Sequence, residues 1–373
     1  MKKILITTCF LIALVLTLSQ TAHAAMPDYE VFRRQTEALD VGGLETALDG
    51  DAGDLLGDLS VMDSLNVDRG LGRLLDGVRA RIGGVLRSGL RDATLILLIA
   101  LLCSVAGAAF GVGLNGADYV VLAGVLAIAA VSVTSVNSFI GLGRQTLQEL
   151  DTFSKMLLPT LTGAAASSGA ITSAAAKYAV TALFMHVMIT ISNGVVMPLI
   201  LAYIAVSIAE AATGSAALSG AGELIKWLAK TILTVMIIAF IAYLAITGVI
   251  TGTSDAVALR AAKVAISTVL PVVGGIIADA SETVLVGASV LRNAVGIFGL
   301  LAVTAICLIP FLRLGVNYLL FKAAGGLAGS IADKRIGVVI NAVSSAFGLT
   351  LAMVGVAAMM LYVSIIAVIR FVV

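Results

Sequence analysis

The sequence predicts an all-α, polytopic transmembrane protein with broken or re-entrant helices, and three observations carry that reading. The chain is 60% hydrophobic and 12% charged, with a mean hydropathy of +1.10. A soluble core cannot absorb that much apolar surface. Uncharged runs longer than the ~20 residues that cross a bilayer recur along it. Finally, four of the five prolines form two pairs, Pro159 with Pro198 and Pro271 with Pro310, each spanning 39 positions and offset by 112. Proline removes a backbone donor and breaks or kinks a helix. In lipid, such a break persists only where protein or water satisfies the freed carbonyls. The spacing therefore predicts an internal repeat, with units at about 118–213 and 230–325, whose broken helices line a site or pathway.

The N-terminus reads as a secretory signal over residues 1–24. Lys2 and Lys3 precede the apolar run Ile4–Leu18, and Ala22-His23-Ala24 fits a small-x-small cleavage site. An uncleaved first span is the alternative. Residues 25–91 form the expected extracytoplasmic region. Its first part is acidic and Gly-rich, with Leu39, Leu44, Leu48, Leu55 and Leu59 at helix-like intervals. Its second part is basic, with six arginines from Arg69 to Arg91 interleaved with Leu71, Leu74, Val78, Ile82 and Val85 at close to a 3.6 period. That amphipathic helix either lies in the membrane interface or packs on the rest of the protein.

A polytopic membrane domain is expected over 92–373. Ala93–Ala117 and Tyr119–Gly143 are spans joined by a hairpin at Asn115–Asp118. Arg144–Leu158 is amphipathic and is expected to end at Pro159, with a small-residue loop over Gly163–Ser173. Tyr178–Ala209 is uncharged for 32 residues, with a break offered by Asn193-Gly194 and Pro198. Thr231–Ser254 is a span entered through Lys226, Trp227 and Lys230, an interfacial belt. The short amphipathic Val257–Leu270 follows, then Pro271 and a loop over Gly274–Glu282. Asn293–Leu312 is a span containing Pro310. The Gly-rich stretch Gly325–Ser330 leads to the charged turn Asp333-Lys334-Arg335 and a last crossing. If Tyr178–Ala209 crosses once, Lys226, Lys230, Arg313, Lys322, Lys334 and Arg335 face the cytoplasm, in keeping with the positive-inside rule. Two crossings would reverse them.

At the 112-residue offset, Met156–Ala166 and Thr268–Ala278 share Leu, Pro, Gly and Ala at matching positions. The residues singled out as structural or pathway positions are therefore Pro159, Gly163, Pro198, Pro271, Gly274, Gly275 and Pro310. Asp279 and Glu282 join them, because charges in apolar surroundings are costly and these two follow the second break. They are expected to pair with Arg292 or to line a polar vestibule. Lys177, Glu210, Arg292 and Arg313 mostly flank apolar runs, where long side chains reach the interface.

Enzyme signatures are sparse. His186 is the one histidine of the mature region and sits in an apolar run, where helix packing is the ordinary role. Ser167 or Ser168 with His186 would make a serine–histidine dyad, but the sequence fixes no such geometry. There is no HExxH and no Walker A motif. Cys9, Cys103 and Cys307 show neither a metal-binding nor a disulfide spacing. No cofactor, metal or nucleic-acid partner is expected, and no catalytic residue is assigned.

The segments SDAVALRAAK (254–263), STVLPVVGGIIADASETV, LRNAVGIFGLL and ADKRI, with LLPTLTGAAASSGAITSAA and NGVVMPLILA upstream, resemble the stage III sporulation protein AE family. The resemblance covers roughly residues 85–370. It implies a role in endospore formation, as a multi-pass protein of the mother-cell membrane surrounding the forespore. It also implies a channel complex with other stage III membrane and ring-forming proteins, a secretion-type ATPase and a forespore-side partner. The function expected is a non-enzymatic pore, gate or assembly subunit. The alternative is a secondary transporter for a small solute, which would require a polar or ionisable cluster at the membrane midplane.

Overall fold

The computed structural model describes residues 36–37, 39, 41–46, 48, 50–57, 59–65, 67–110, 116–269 and 274–370, with the side chains of 65, 110, 116–117, 248–284 and 370 excepted. The signal segment, Asn115 of the expected hairpin and Pro271 lie outside the described residues. Among the described residues there is helix and no strand. Two short helices, α1 (Val41–Thr46) and α2 (Gly50–Leu56), and a 3-10 turn at Asp63–Leu65 precede the long ones. Those are α3 (Val67–Phe110), α4 (Gly116–Ser167), α5 (Ile171–Ile191), α6 (Met197–Thr213), α7 (Ala216–Val269), α8 (Gly274–Ile331) and α9 (Lys334–Arg370).

Six helical runs are long and apolar enough to cross a membrane, with α5 and α6 together making one of them. Helix is the state that satisfies every backbone group within the segment, as lipid demands. The runs form an antiparallel bundle. One end gathers the connections α3–α4, α6–α7 and α8–α9; there Arg335 pairs with Asp118 at 3.0 Å. The other end gathers the N-terminal region, the α4–α5 turn and the end of α9. Helix α8 is the centre: 78% of its most apolar stretch is buried, against 17% for peripheral α3. Its core face includes Val295, Phe298, Ala302, Ile306 and Ile309, packed against α9, α3 and α4.

The helices are longer than a bilayer is thick. At ~1.5 Å per residue, α8 spans about 87 Å and α7 about 80 Å, against ~30 Å of hydrocarbon. Exposed large apolar side chains concentrate toward the first end: Leu98, Leu102 and Val105 on α3, Leu126 on α4, Val235, Ile238 and Ile246 on α7, Leu319 and Leu327 on α8. Toward the other end the exposed positions include the charged Asp76, Arg79 and Lys155 together with Leu75, Ile82 and Ile171.

Several expectations are corrected here. Helix α4 runs through Pro159 to Ser167 without a break, and Gly163 is helical. A proline frees the carbonyl four residues back and crowds the turn. The carbonyl freed here is that of Lys155; the neighbouring Thr160 hydroxyl donates to Met156 O at 3.0 Å, an i→i−4 bond within the same helix. What ends α4 is glycine. Gly169 has φ +96; its N–H reaches Ala166 O at 2.9 Å and the Ala170 N–H reaches Ala165 O at 3.1 Å. That pair of bonds is a Schellman motif, which needs a left-handed residue. The expected loop thus shrinks to residues 168–170. Likewise α8 passes through Pro310 and through Gly325–Ser330 uninterrupted, and is already helical from Gly274. The basic segment 69–91 and the first span are one helix, α3, and α7 carries straight through residue 255.

Near Asn193 the helical path is not interrupted but widens into a π-helical turn, Ser192–Val196, in which the Met197 N–H bonds Ser192 O. Pro198 follows at the start of α6. The widened turn accommodates a residue that lacks a donor. This element has no counterpart at Pro310, so the two proline-centred units do not share one local fold there.

The acidic N-terminal residues meet the basic face of α3. The Arg73 guanidinium donates to Leu56 O, and Arg81 lies 3.4 Å from Asp51 and 3.5 Å from Asp54. Ser64 is fully buried, and its hydroxyl donates to Ala294 O of α8 at 3.1 Å. Leu74 and Val85 of α3 are buried, while Leu75, Ile82 and Leu86 are exposed. One face of the amphipathic helix is thus packed on the bundle and the other is open.

Candidate functional site

Of the residues singled out from sequence, those whose side chains are described lie in different surroundings. Pro159 and Pro198 are exposed on the outside of the bundle, whereas Pro310 is buried in α8. A side chain at Gly163 would meet Leu39 at 2.7 Å, so this glycine admits the N-terminal region against α4. Gly274 and Gly275 open α8, and Asp279 and Glu282 lie in its first turns, with side chains outside the described residues.

Two charges that flank apolar runs are buried rather than reaching outward. Arg292 is 5% exposed, and its Nη1 donates to Ser168 Oγ at 3.2 Å. That bond ties α8 to the Schellman turn. Glu282 is ten residues earlier on the same helix, about 15 Å along its axis, too far for a direct pair with Arg292. Lys177 on α5 is 2% exposed and donates to Ala367 O in the last turn of α9, at 2.8 Å. A cation there meets the negative end of the helix dipole and an otherwise orphan carbonyl. Both residues brace the end of the bundle where the N-terminal region sits.

His186 is exposed on α5, about four turns from the Ser168 turn. Ser168 is buried, donates to Ala165 O and accepts from Arg292. The imagined serine–histidine dyad is not assembled. Among the described residues no group of three or more His, Cys, Asp or Glu converges as a metal site would require.

A concavity lined by several charged side chains lies at the opposite end. A crevice of about 420 Å³ opens between α6, α7, α8 and α9. Lys226, Lys322 and Lys334 line it together with Glu210, Glu223 and Asn341. Lys226 is held 5.6 Å above the Tyr203 ring and 3.4 Å from Glu223. The Lys322 ammonium donates to Asn341 Oδ1 at 3.1 Å. Glycines keep the walls low: a Cβ on Gly337 would come within 3.1 Å of the Gly329 backbone, so α8 and α9 touch backbone to backbone beneath the crevice. Sequence reading noted these charges singly, as markers of orientation. Their convergence is a tertiary fact, since four helices contribute. Arg313 does not belong with them: it lies about 27 Å along α8 from Ile331.

The family described as stage III sporulation protein AE matches residues 86–371. The stage III sporulation protein AE of Bacillus subtilis (strain 168) is 25% identical over 236 residues, which is 62% of this chain and 59% of that relative. The aligned part thus spans less than two thirds of the relative. No solved structure matches the chain.

Proposed function

The chain belongs to the stage III sporulation protein AE family, and from that premise we propose that it is a non-enzymatic membrane subunit of a channel complex joining mother cell and forespore, with an assembly role. The centre of the bundle supports assembly over a pore through a single copy. Its axis is occupied by α8, whose inward side chains, from Val295 to Ile309, are apolar and closely packed. A conduit would then be built between subunits. The half that overhangs the bilayer, with the N-terminal helices packed on it, offers the docking surface for other stage III proteins, a secretion-type ATPase being reached from the cytoplasmic end. The mother-cell membrane is the site of action, and residues 25–90 lie outside the cytoplasm after signal cleavage.

Sporulation efficiency read beside membrane abundance tests this. Gly275→Leu, in the first turn of α8, is expected to block sporulation while the protein stays inserted and co-purifies with its partners. His186→Phe is expected to be far milder. Normal spores from Gly275→Leu, with His186→Phe inserted but inactive, would overturn the non-enzymatic reading in favour of catalysis or proton coupling.

A further inference from the structure

We propose that the crevice between α6, α7, α8 and α9 is a binding site for the phosphate headgroup of an anionic phospholipid. Three observations lead there. The first is charge. Lys226, Lys322 and Lys334 face two carboxylates, and one of those, Glu223, is already engaged by Lys226. Lys322 holds only a neutral amide oxygen among the contacts described, and Lys334 carries no ion pair among the described residues. Two ammonium groups are left for an incoming anion.

The second is height. Lys322 lies about 14 Å along α8 from its end at Ile331. Trp227, 60% exposed, neighbours Lys226 on α7 at the same level. Aromatic residues of this kind settle at headgroup depth. Basic pockets between transmembrane helices at that depth are suited to acidic headgroups.

The third is room for the tails. Leu319, one turn deeper than Lys322 on α8, is 52% exposed, and Leu224 and Leu228 on α7 are exposed too. Deeper on α7 than Lys226, Ala229 and Leu233 are buried in the core. A phosphate seated among the lysines therefore leaves acyl chains against the outer apolar surface instead of forcing them into the core. A soluble phosphate would use the same ammonium groups but gain nothing from that surface.

The test uses the full chain in a neutral detergent. Phosphatidylglycerol, phosphatidylcholine and inorganic phosphate are added separately, with retained adducts read by native mass spectrometry and stability by thermal unfolding. Phosphatidylglycerol should be retained and should raise the melting temperature; the other two should do neither. Changing Lys226, Lys322 and Lys334 together to Gln should weaken retention by about tenfold or more, as expected for lost charge-assisted bonds. Lys334→Gln alone, at an exposed position, keeps the test open if the triple variant fails to fold, and should weaken retention in part. Glu210→Gln should leave retention unchanged or raise it. Lys155→Gln, at the far end of the bundle, should change nothing. Equal retention of the two lipids, or wild-type retention by a folded Lys variant, would overturn the proposal. So would an equal effect of inorganic phosphate, which would assign the crevice to a soluble anion.

Discussion

At the scale of single residues, glycine does more than proline to shape this protein. Proline can be read from sequence as a helix breaker, yet α4 and α8 absorb Pro159 and Pro310. The breaker reading fails because the penalty in an isolated helix is offset by packing of a long helix against its neighbours. The terminator that matters, Gly169, is one of two glycines in the small-residue stretch 163–173, and its positive φ distinguishes it. Gly337 is a second case, since its role depends on Gly329 of the facing helix. Gly337→Leu should destabilise the protein by about 1–3 kcal/mol, the usual cost of overpacking, and lower the melting temperature in detergent. Gly326→Ala, where a Cβ meets nothing within 4 Å, should stay within ~0.5 kcal/mol of wild type. Equal melting temperatures for the two variants would refute the close-contact argument.

At the scale of elements, apolar runs located the helices well but did not find their ends. Each run was bounded at the first charge or proline, so α3, α4, α7 and α8 were each divided where the structure is continuous. Charge marks where a helix leaves lipid, not where it stops, and these helices continue past the bilayer. The π turn at Ser192–Val196 was legible because Asn-Gly and a proline coincide within one turn. A direct check follows for α4. Pro159→Ala restores a donor to the Lys155 carbonyl in a helix that is already continuous through that point. It should leave the fold intact and be neutral or stabilising by about 1 kcal/mol. Loss of stability beyond 2 kcal/mol, measured by chemical unfolding in detergent, would mean that Pro159 shapes the helix after all.

At the scale of the whole molecule, membrane residence and an all-helical fold were legible from composition alone, whereas the charged crevice was not. Lys226 and Lys334 are separated by more than a hundred residues and meet only through the bundle. Lys226, Lys230, Lys322, Lys334 and Arg335 lie toward one end and the arginines of the 69–81 segment toward the other; placing the first end in the cytoplasm is an expectation that labelling tests. A cysteine at Arg79, 82% exposed near the other end, should react with an impermeant reagent in intact cells, and one at Lys334 only after permeabilisation. Ser64 would be a poor probe, because it is fully buried against α8. Labelling in the reverse order would invert the topology.

The continuity of α8 has a mechanical consequence. A rod of 58 residues with no hinge acts as a lever whose short arm lies at the crevice. From Lys322 to Gly274 the long arm is about 72 Å at ~1.5 Å per residue. A tilt of about 5° at the level of the lysines swings the far tip by about 6 Å, more than the ~4.8 Å that separates neighbouring strands in a sheet. A tilt imposed on α8 at the crevice would therefore be felt most at the opposite end of the bundle, where the helix begins at Gly274.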